Sequence, residues 1–195
     1  MVFRAKICLF ARMRLIKQSI PGVYVIELTT FGDERGLFAR TFCRKTFEDH
    51  DLDTDMVQTN MSLSREKGTL RGLHWQRGVD AEAKLVRCTS GSIFDVAVDI
   101  RPDSSTFLQW TGTTLSRENR HMLYVPRGFA HGFLTLEDHT EVSYQVSNYY
   151  NGAAEAGLRY DDPALGIEWP MEPTVLSEKD TEHKPCTGES DSRFL

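Results

Sequence analysis

The sequence contains no apolar run of the roughly 18 residues that a membrane-crossing helix needs, which argues against a spanning segment. Basic residues do not predominate either. With 23 Lys and Arg against 28 Asp and Glu, a net charge of −5 and a pI near 5.7, there is no broad positive surface to hold nucleic acid or an anionic membrane. Any phosphate site must be a local cluster. Cysteine is scarce: Cys8, Cys43, Cys88 and Cys186 lie far apart with no CxxC pair, which argues against a zinc site and for reduced thiols in a cytoplasm. Helix is scarce as well, with a single candidate from Arg44 to Asp51. Acidic residues are absent before Glu27, while Arg4, Lys6, Arg12, Arg14 and Lys17 precede it. That pattern resembles targeting, but the apolar stretch Ile7 to Ala11 is shorter than the ~7–15 residues of a secretory signal. Residues 1–12 are therefore expected to be an extension, with Met13 as the functional start.

What remains is strand. At 195 residues and 40% hydrophobic content the chain is long enough for one full core, expected over residues 13–181, with a polar tail over 182–195. The β-type runs are Val23 to Leu28, Met56 to Leu63, Lys84 to Cys88, Ser92 to Ile100, Trp110 to Leu115, Met122 to Val125 and Glu141 to Ser147. Turn residues such as Gly36, Gly68, Gly91, Pro102 and Gly128 separate them at short intervals, the punctuation of an all-β sandwich or barrel. No internal repeat and no linker is found. In Ser92 to Ile100, alternation puts Phe94, Val96, Val98 and Ile100 on one face and Asp95 and Asp99 on the other. An apolar face must be buried against a second sheet, and the mouth between sheets is the natural small-molecule site.

Two segments carry one histidine each near apolar, strand-like residues: Leu70-Arg71-Gly72-Leu73-His74-Trp75-Gln76 and Pro126-Arg127-Gly128-Phe129-Ala130-His131-Gly132. A metal-binding barrel usually offers two closely spaced histidines and a carboxylate, whereas the position two after His74 is Gln76, a poor ligand. A single imidazole suits proton transfer better. Taken singly, His74 reads as a hydrogen-bonded core residue, Lys84 as a strand-edge charge, Tyr144 as a packing aromatic and Asp180 as a turn acid. Trp75, Trp110 and Trp169 read mainly as core.

Taken together and in order, the motifs say more. Phe31-Gly32-Asp33-Glu34-Arg35-Gly36, Arg71-Gly72-Leu73-His74, Lys84-Leu85-Val86-Arg87, Phe94-Asp95-Val96-Ala97-Val98-Asp99, Pro126 to Phe133, Gly166-Ile167-Glu168-Trp169-Pro170 and Leu176-Ser177-Glu178-Lys179-Asp180 resemble the dTDP-4-dehydrorhamnose 3,5-epimerase family from about Met13 to Asp180. The resemblance implies a double-stranded β-helix, the cupin jelly roll, with a few short helices. It also implies no metal, no dissociable cofactor, a homodimer with subunit-shared sites, and a nucleoside-diphosphate 4-keto-6-deoxy sugar as substrate.

Epimerisation beside a ketone needs a base for the acidic α-hydrogen, an electrophile for the enolate, and an acid that returns the proton from the opposite face. His74 is the candidate base, because a neutral imidazole titrates near operating pH. By resemblance Asp180 orients that ring, Lys84 meets the developing oxyanion and Tyr144 is the acid. His131 is expected to bond the sugar or keto oxygen, with Asp95 as its partner. Arg35 and Arg71 resemble the arginines that meet pyrophosphate; Gln58, Asn60, Phe38 and Tyr150 complete the substrate-binding set.

One segment departs from the family. There the Asp-Glu-Arg-Gly motif is usually followed by two aromatics, any residue and a glutamate associated with thymine, but here it runs Gly36-Leu37-Phe38-Ala39-Arg40. A donor-only guanidinium thus replaces an acceptor, and Gln58-Thr59-Asn60 replaces the commoner Gln-Asp-Asn. Arg40 leaves the base open between thymine and guanine, with a GDP-linked keto sugar, including a heptose, as the alternative. A C3-only epimerase, a metal-dependent cupin oxygenase or isomerase, and a sugar-nucleotide sensor without turnover are the other readings.

Overall fold

The strand-forming runs fold into two facing antiparallel sheets. The computed structural model describes residues 13–188 and 192–194, so the expected extension over 1–12 lies outside the described residues. Its strands are β1 (Met13–Lys17), β2 (Tyr24–Leu28), β3 (Thr30–Asp33), β4 (Gly36–Ala39), β5 (Gln58–Ser64), β6 (Leu70–Gln76), β7 (Lys84–Ser90), β8 (Ser92–Asp99), β9 (Trp110–Ser116), β10 (Met122–Val125), β11 (Phe129–Thr135), β12 (Thr140–Val146) and β13 (Glu155–Gly157). One sheet runs β1-β2-β10-β7-β12-β5 and the other β13-β6-β11-β8-β9, with β3 and β4 a separate hairpin. The chain passes back and forth between the sheets, as a jelly roll does. Two short α-helices are present among the described residues, α1 (Arg44–Glu48) and α2 (Glu178–Thr181). The first stops short of the expected Asp51, whose backbone turns left-handed at φ 57°. No helix of the described residues is long and apolar enough to cross a membrane.

Between the sheets, Val86, Cys88, Leu123, Val125 and Val142 of the six-stranded sheet meet Ile93, Ala97, Leu115, Phe129 and Phe133 of the other. A second cluster covers the far side of the five-stranded sheet. There Leu73, Trp75, Val96, Val98 and Ile100 are roofed by Leu158, Leu165, Trp169 and Phe194. The face expected for Phe94, Val96, Val98 and Ile100 is formed, but it lies under this roof and not against the second sheet, and the face with the two acids is buried as well because both sides of β8 are covered. Its two acids survive burial by pairing. The end of the chain, read from sequence as a polar tail, contributes to this roof. Phe194 packs on Trp75 and Phe107, and Arg193 donates to the carbonyls of Gly157, Lys184 and Pro185.

Asp99 shows what the pairing does. Its fully buried carboxylate accepts from Arg101 and from the hydroxyls of Ser104 and Thr106, at 2.6 to 2.8 Å. Burial alone would raise this carboxyl, but the three donors outweigh it and hold it below the ordinary 3.8. A depressed folded value means the stabilisation is present above the unfolded value and is lost as pH falls through the folded one. Asp99→Asn should therefore cost about 3 kcal/mol at neutral pH, and the deficit relative to wild type should narrow below about pH 4. Urea midpoints across pH 3 to 7 check both, taking ~1–3 kcal/mol/M for the slope.

Candidate active site

Two glycines bring the histidine strands together. Gly72 in β6 has φ +121°, and a Cβ there would stand 2.5 Å from the Cα of Gly132 in β11; a Cβ on Gly132 would meet the Arg71 carbonyl at 2.8 Å. Only residues without side chains permit this approach. It sets His131 directly opposite His74 in the antiparallel register, so both rings leave the same face of the five-stranded sheet. They project into a cavity of about 440 Å³ between the sheets.

The facing sheet supplies different chemistry. Tyr144 in β12 shares its inward face with Val142 and Val146, and Asn60 of β5 lies beside it in register. Lys84 opens β7, next to Val146 of β12. Arg71 from β6 lines the same cavity, and a smaller cavity of about 120 Å³ shares His74, Lys84 and Tyr144 and extends to Gln58, Asn60 and Tyr150. Imidazoles thus come from one sheet, and the phenol and ammonium from the other.

His74 Nε2 lies 2.6 Å from Asp180 Oδ1. That bond places the proton of the neutral ring on Nε2 and leaves Nδ1 as the acceptor nitrogen. Asp180 is almost fully buried, on α2, where the Ser177 hydroxyl accepts its backbone N–H at 3.1 Å. Burial pushes the Asp180 carboxyl up, but the His74 contact, Ser177 and the Gly72 backbone together hold it below the usual range. The cap was readable as Ser-x-x-Asp, a capping-box pattern, which turns an ordinary loop acid into one of fixed direction. His131 Nε2 lies 2.7 Å from buried Asp95 Oδ1, the expected pairing.

Lys84 is buried, with Nζ donating to the His74 carbonyl and standing 3.3 Å from Glu82. Glu82 was not found from sequence; no spacing signals it. Burial, then the Glu82 charge, raises the Tyr144 phenol above its ordinary value, so it stays protonated through the neutral range. Arg71 donates to the Ser64 hydroxyl at 3.2 Å, at the mouth beside β5. The Tyr150 hydroxyl donates to Glu155, which also takes Lys179 at 2.6 Å, and the Tyr150 N–H donates to Gln58. Gln76, considered from sequence only as an absent ligand, is occupied elsewhere. Its amide donates to the carbonyls of Asp80 and Tyr149 and to Glu82, and its oxygen accepts from Asn151.

Three expected residues lie outside these walls. Arg35 and Phe38 belong to the β3–β4 hairpin and Arg40 follows it, none lining either cavity. Arg35 instead pairs with Asp33, whose carboxyl it holds at about 2. A second residue that the sequence reading missed, after Glu82, is His183, which packs edge-on against His74, ring centroids 5.8 Å apart. It sits in the segment read as tail, so nothing in the sequence pattern placed it there.

An imidazole held by a carboxylate on one wall, and a protonated phenol and a lysine on the other, around one cavity in a jelly roll, fit a cupin-type isomerase. Comparison with known proteins narrows the class. The sequence pattern of dTDP-4-dehydrorhamnose 3,5-epimerases matches residues 17–187, and the chain belongs to that family. It is 49% identical over 170 residues to the dTDP-4-dehydrorhamnose 3,5-epimerase of Salmonella typhimurium, covering 86% of this chain and 92% of that one. Among solved structures it is similar to the Bacillus anthracis enzyme with TDP and PPi bound, at 41% identity and a TM-score of 0.87 over 90% of this chain and 100% of that one. The Legionella pneumophila epimerase in complex with dTDP-4-keto-L-rhamnose is 42% identical with a TM-score of 0.84, over 89% and 93%.

Proposed function

We propose that this enzyme epimerises C3 and C5 of dTDP-4-dehydro-6-deoxyglucose to give dTDP-4-dehydrorhamnose, without a dissociable cofactor, in the cytoplasm. The observation that carries the reading is the placement of His74 and Tyr144 on opposite sheets across one cavity. Both reacting carbons flank the C4 ketone, so each carries an acidic hydrogen. His74 Nδ1 removes it, Asp180 stabilises the imidazolium that forms, and Lys84 neutralises charge gathering on the C4 oxygen. Tyr144 returns a proton from the other face, which inverts the carbon. His131 bonds the sugar, and Arg71 meets the pyrophosphate at the mouth. Redox state is unchanged from start to finish.

Proton NMR of the dTDP sugar in deuterated water tests this directly. Deuterium entering at C3 and C5 is the expected result; entry at C3 alone would make the enzyme a 3-epimerase, and none would sink the reading. The guanine alternative rests on Arg40; against it, the Bacillus anthracis relative is solved with TDP and the Legionella pneumophila relative with a dTDP sugar. Competition binding should favour dTDP over GDP.

The working unit is a homodimer. On β5, Gln58, Asn60 and Ser62 turn inward to the cavity while Met61 and Leu63 stand outward and exposed on an edge strand, an inversion of the usual pattern. Leu37 and Phe38 are likewise exposed on the hairpin. A second copy covers these apolar residues and receives Arg35, Phe38 and Arg40 near its own cavity. Gel filtration that finds a folded, active monomer would refute the dimer.

A further inference from the structure

His183 has no part in the proton transfers above, yet its placement is closely determined. Its Nε2 is buried without a hydrogen-bond partner among the described residues. The ring lies against Gly157, where a Cβ would stand 2.1 Å from that nitrogen, and Gly157 is the register partner of His74 across β13 and β6. A buried, unpaired ring nitrogen is costly unless something satisfies it. One ligand atom from each of His74, Asp180 and His183 falls within 4.8 Å of the other two.

Two imidazoles and one carboxylate are a donor set for zinc, cobalt, nickel or copper, and a poor one for magnesium or calcium. Bonds of about 2.0–2.2 Å put tetrahedral ligand atoms around zinc roughly 3.3–3.6 Å apart, so the widest separation in the trio, up to 4.8 Å, has to close by about an ångström, within the reach of side-chain rotation. Lys179, the nearby cation on α2, is neutralised by Glu155. The adjoining cavity leaves room for a water as fourth ligand.

We propose that His74, Asp180 and His183 form a site for a divalent transition ion, zinc above all, whose occupation inhibits the enzyme by capturing the imidazole needed for proton transfer. The inhibitory half rests on the reading of His74 as base; the binding half does not. The test accordingly has two readouts on the full-length, chelator-treated enzyme. Cobalt(II) titration should develop visible d–d bands that saturate at one ion per chain and are displaced by zinc. Zinc should also suppress deuterium exchange into the dTDP sugar over the same concentration range. His183→Phe keeps an edge-on ring against His74 but removes the ligand, and His183→Gln serves as a second variant, each checked for folding by circular dichroism. Both should weaken cobalt binding and zinc inhibition by more than about tenfold, since even loss of an outer-shell partner costs ~10–100-fold. Cobalt bands unchanged in both variants, or absent from the wild type, would overturn the site. Binding that leaves exchange untouched would overturn its inhibitory role. If the metal-free enzyme shows no exchange at all, the epimerase reading fails, while the cobalt titration still decides the site.

Discussion

His74→Asn is expected to lower epimerase turnover by about 10²–10⁴, the range that a positioned general base supplies, and to abolish solvent deuterium entry at both C3 and C5. The protein should remain folded. The ring is part-exposed at the cavity wall, and although an asparagine amide is too short to reach Asp180 from the Nε2 position, the buried carboxylate keeps its bonds to Ser177 and the Gly72 backbone. The loss is then in chemistry and not in packing. Asp180→Asn should fall in the same direction through a different cause: the amide can donate to Nε2, which moves the proton to Nδ1 and removes the base. Circular dichroism and dTDP binding on both variants separate these effects from misfolding. A His74→Asn enzyme that still exchanges deuterium at C5 would show that another group takes that proton.

Much of this site was legible because its residues sit in contiguous motifs whose order can be read. Tyr144 lies outside those motifs: resemblance assigned it, period-two alternation agreed by putting it on one face with Val142 and Val146, and the strand bears that parity. The histidine strands were harder. In β11 every residue is buried, so no alternation exists to read, and Gly72 and Gly132 look like breakers in sequence although they are what lets the two strands meet. Short-range pattern also missed β1, the β3–β4 hairpin and β13, elements of three to five residues that depend on a neighbour for their definition. Glu82 and His183 were out of reach for a simpler reason. His183 meets His74 through a contact between segments far apart in the chain, and Glu82, though only two residues from Lys84, stands at a spacing that signals no pairing.

Tyr144→Phe should separate two events that His74→Asn stops together. Without the phenolic proton, the His74–Asp180 pair can still remove a hydrogen, and Lys84 still faces the oxygen on which charge gathers. The same imidazole can return a solvent-derived proton to the face it came from. Net epimerisation should therefore fall by about 10²–10⁴, while deuterium enters C3 and C5 of unepimerised substrate at a far smaller loss. The substitution deletes one oxygen and keeps the ring, so the half-buried packing against the core cluster that includes Val142 is retained and stability should change by less than about 1 kcal/mol. The wild-type phenol, raised by burial and by Glu82, predicts one more property: epimerisation should hold its rate well into the alkaline range before Tyr144 ionises and the donor is lost. NMR of the recovered sugar decides the matter, because it reports configuration and isotope content in the same spectrum. Parallel loss of exchange and inversion would move Tyr144 from proton return to enolate formation, and the opposite-sheet geometry would then serve to bind the sugar and not to invert it.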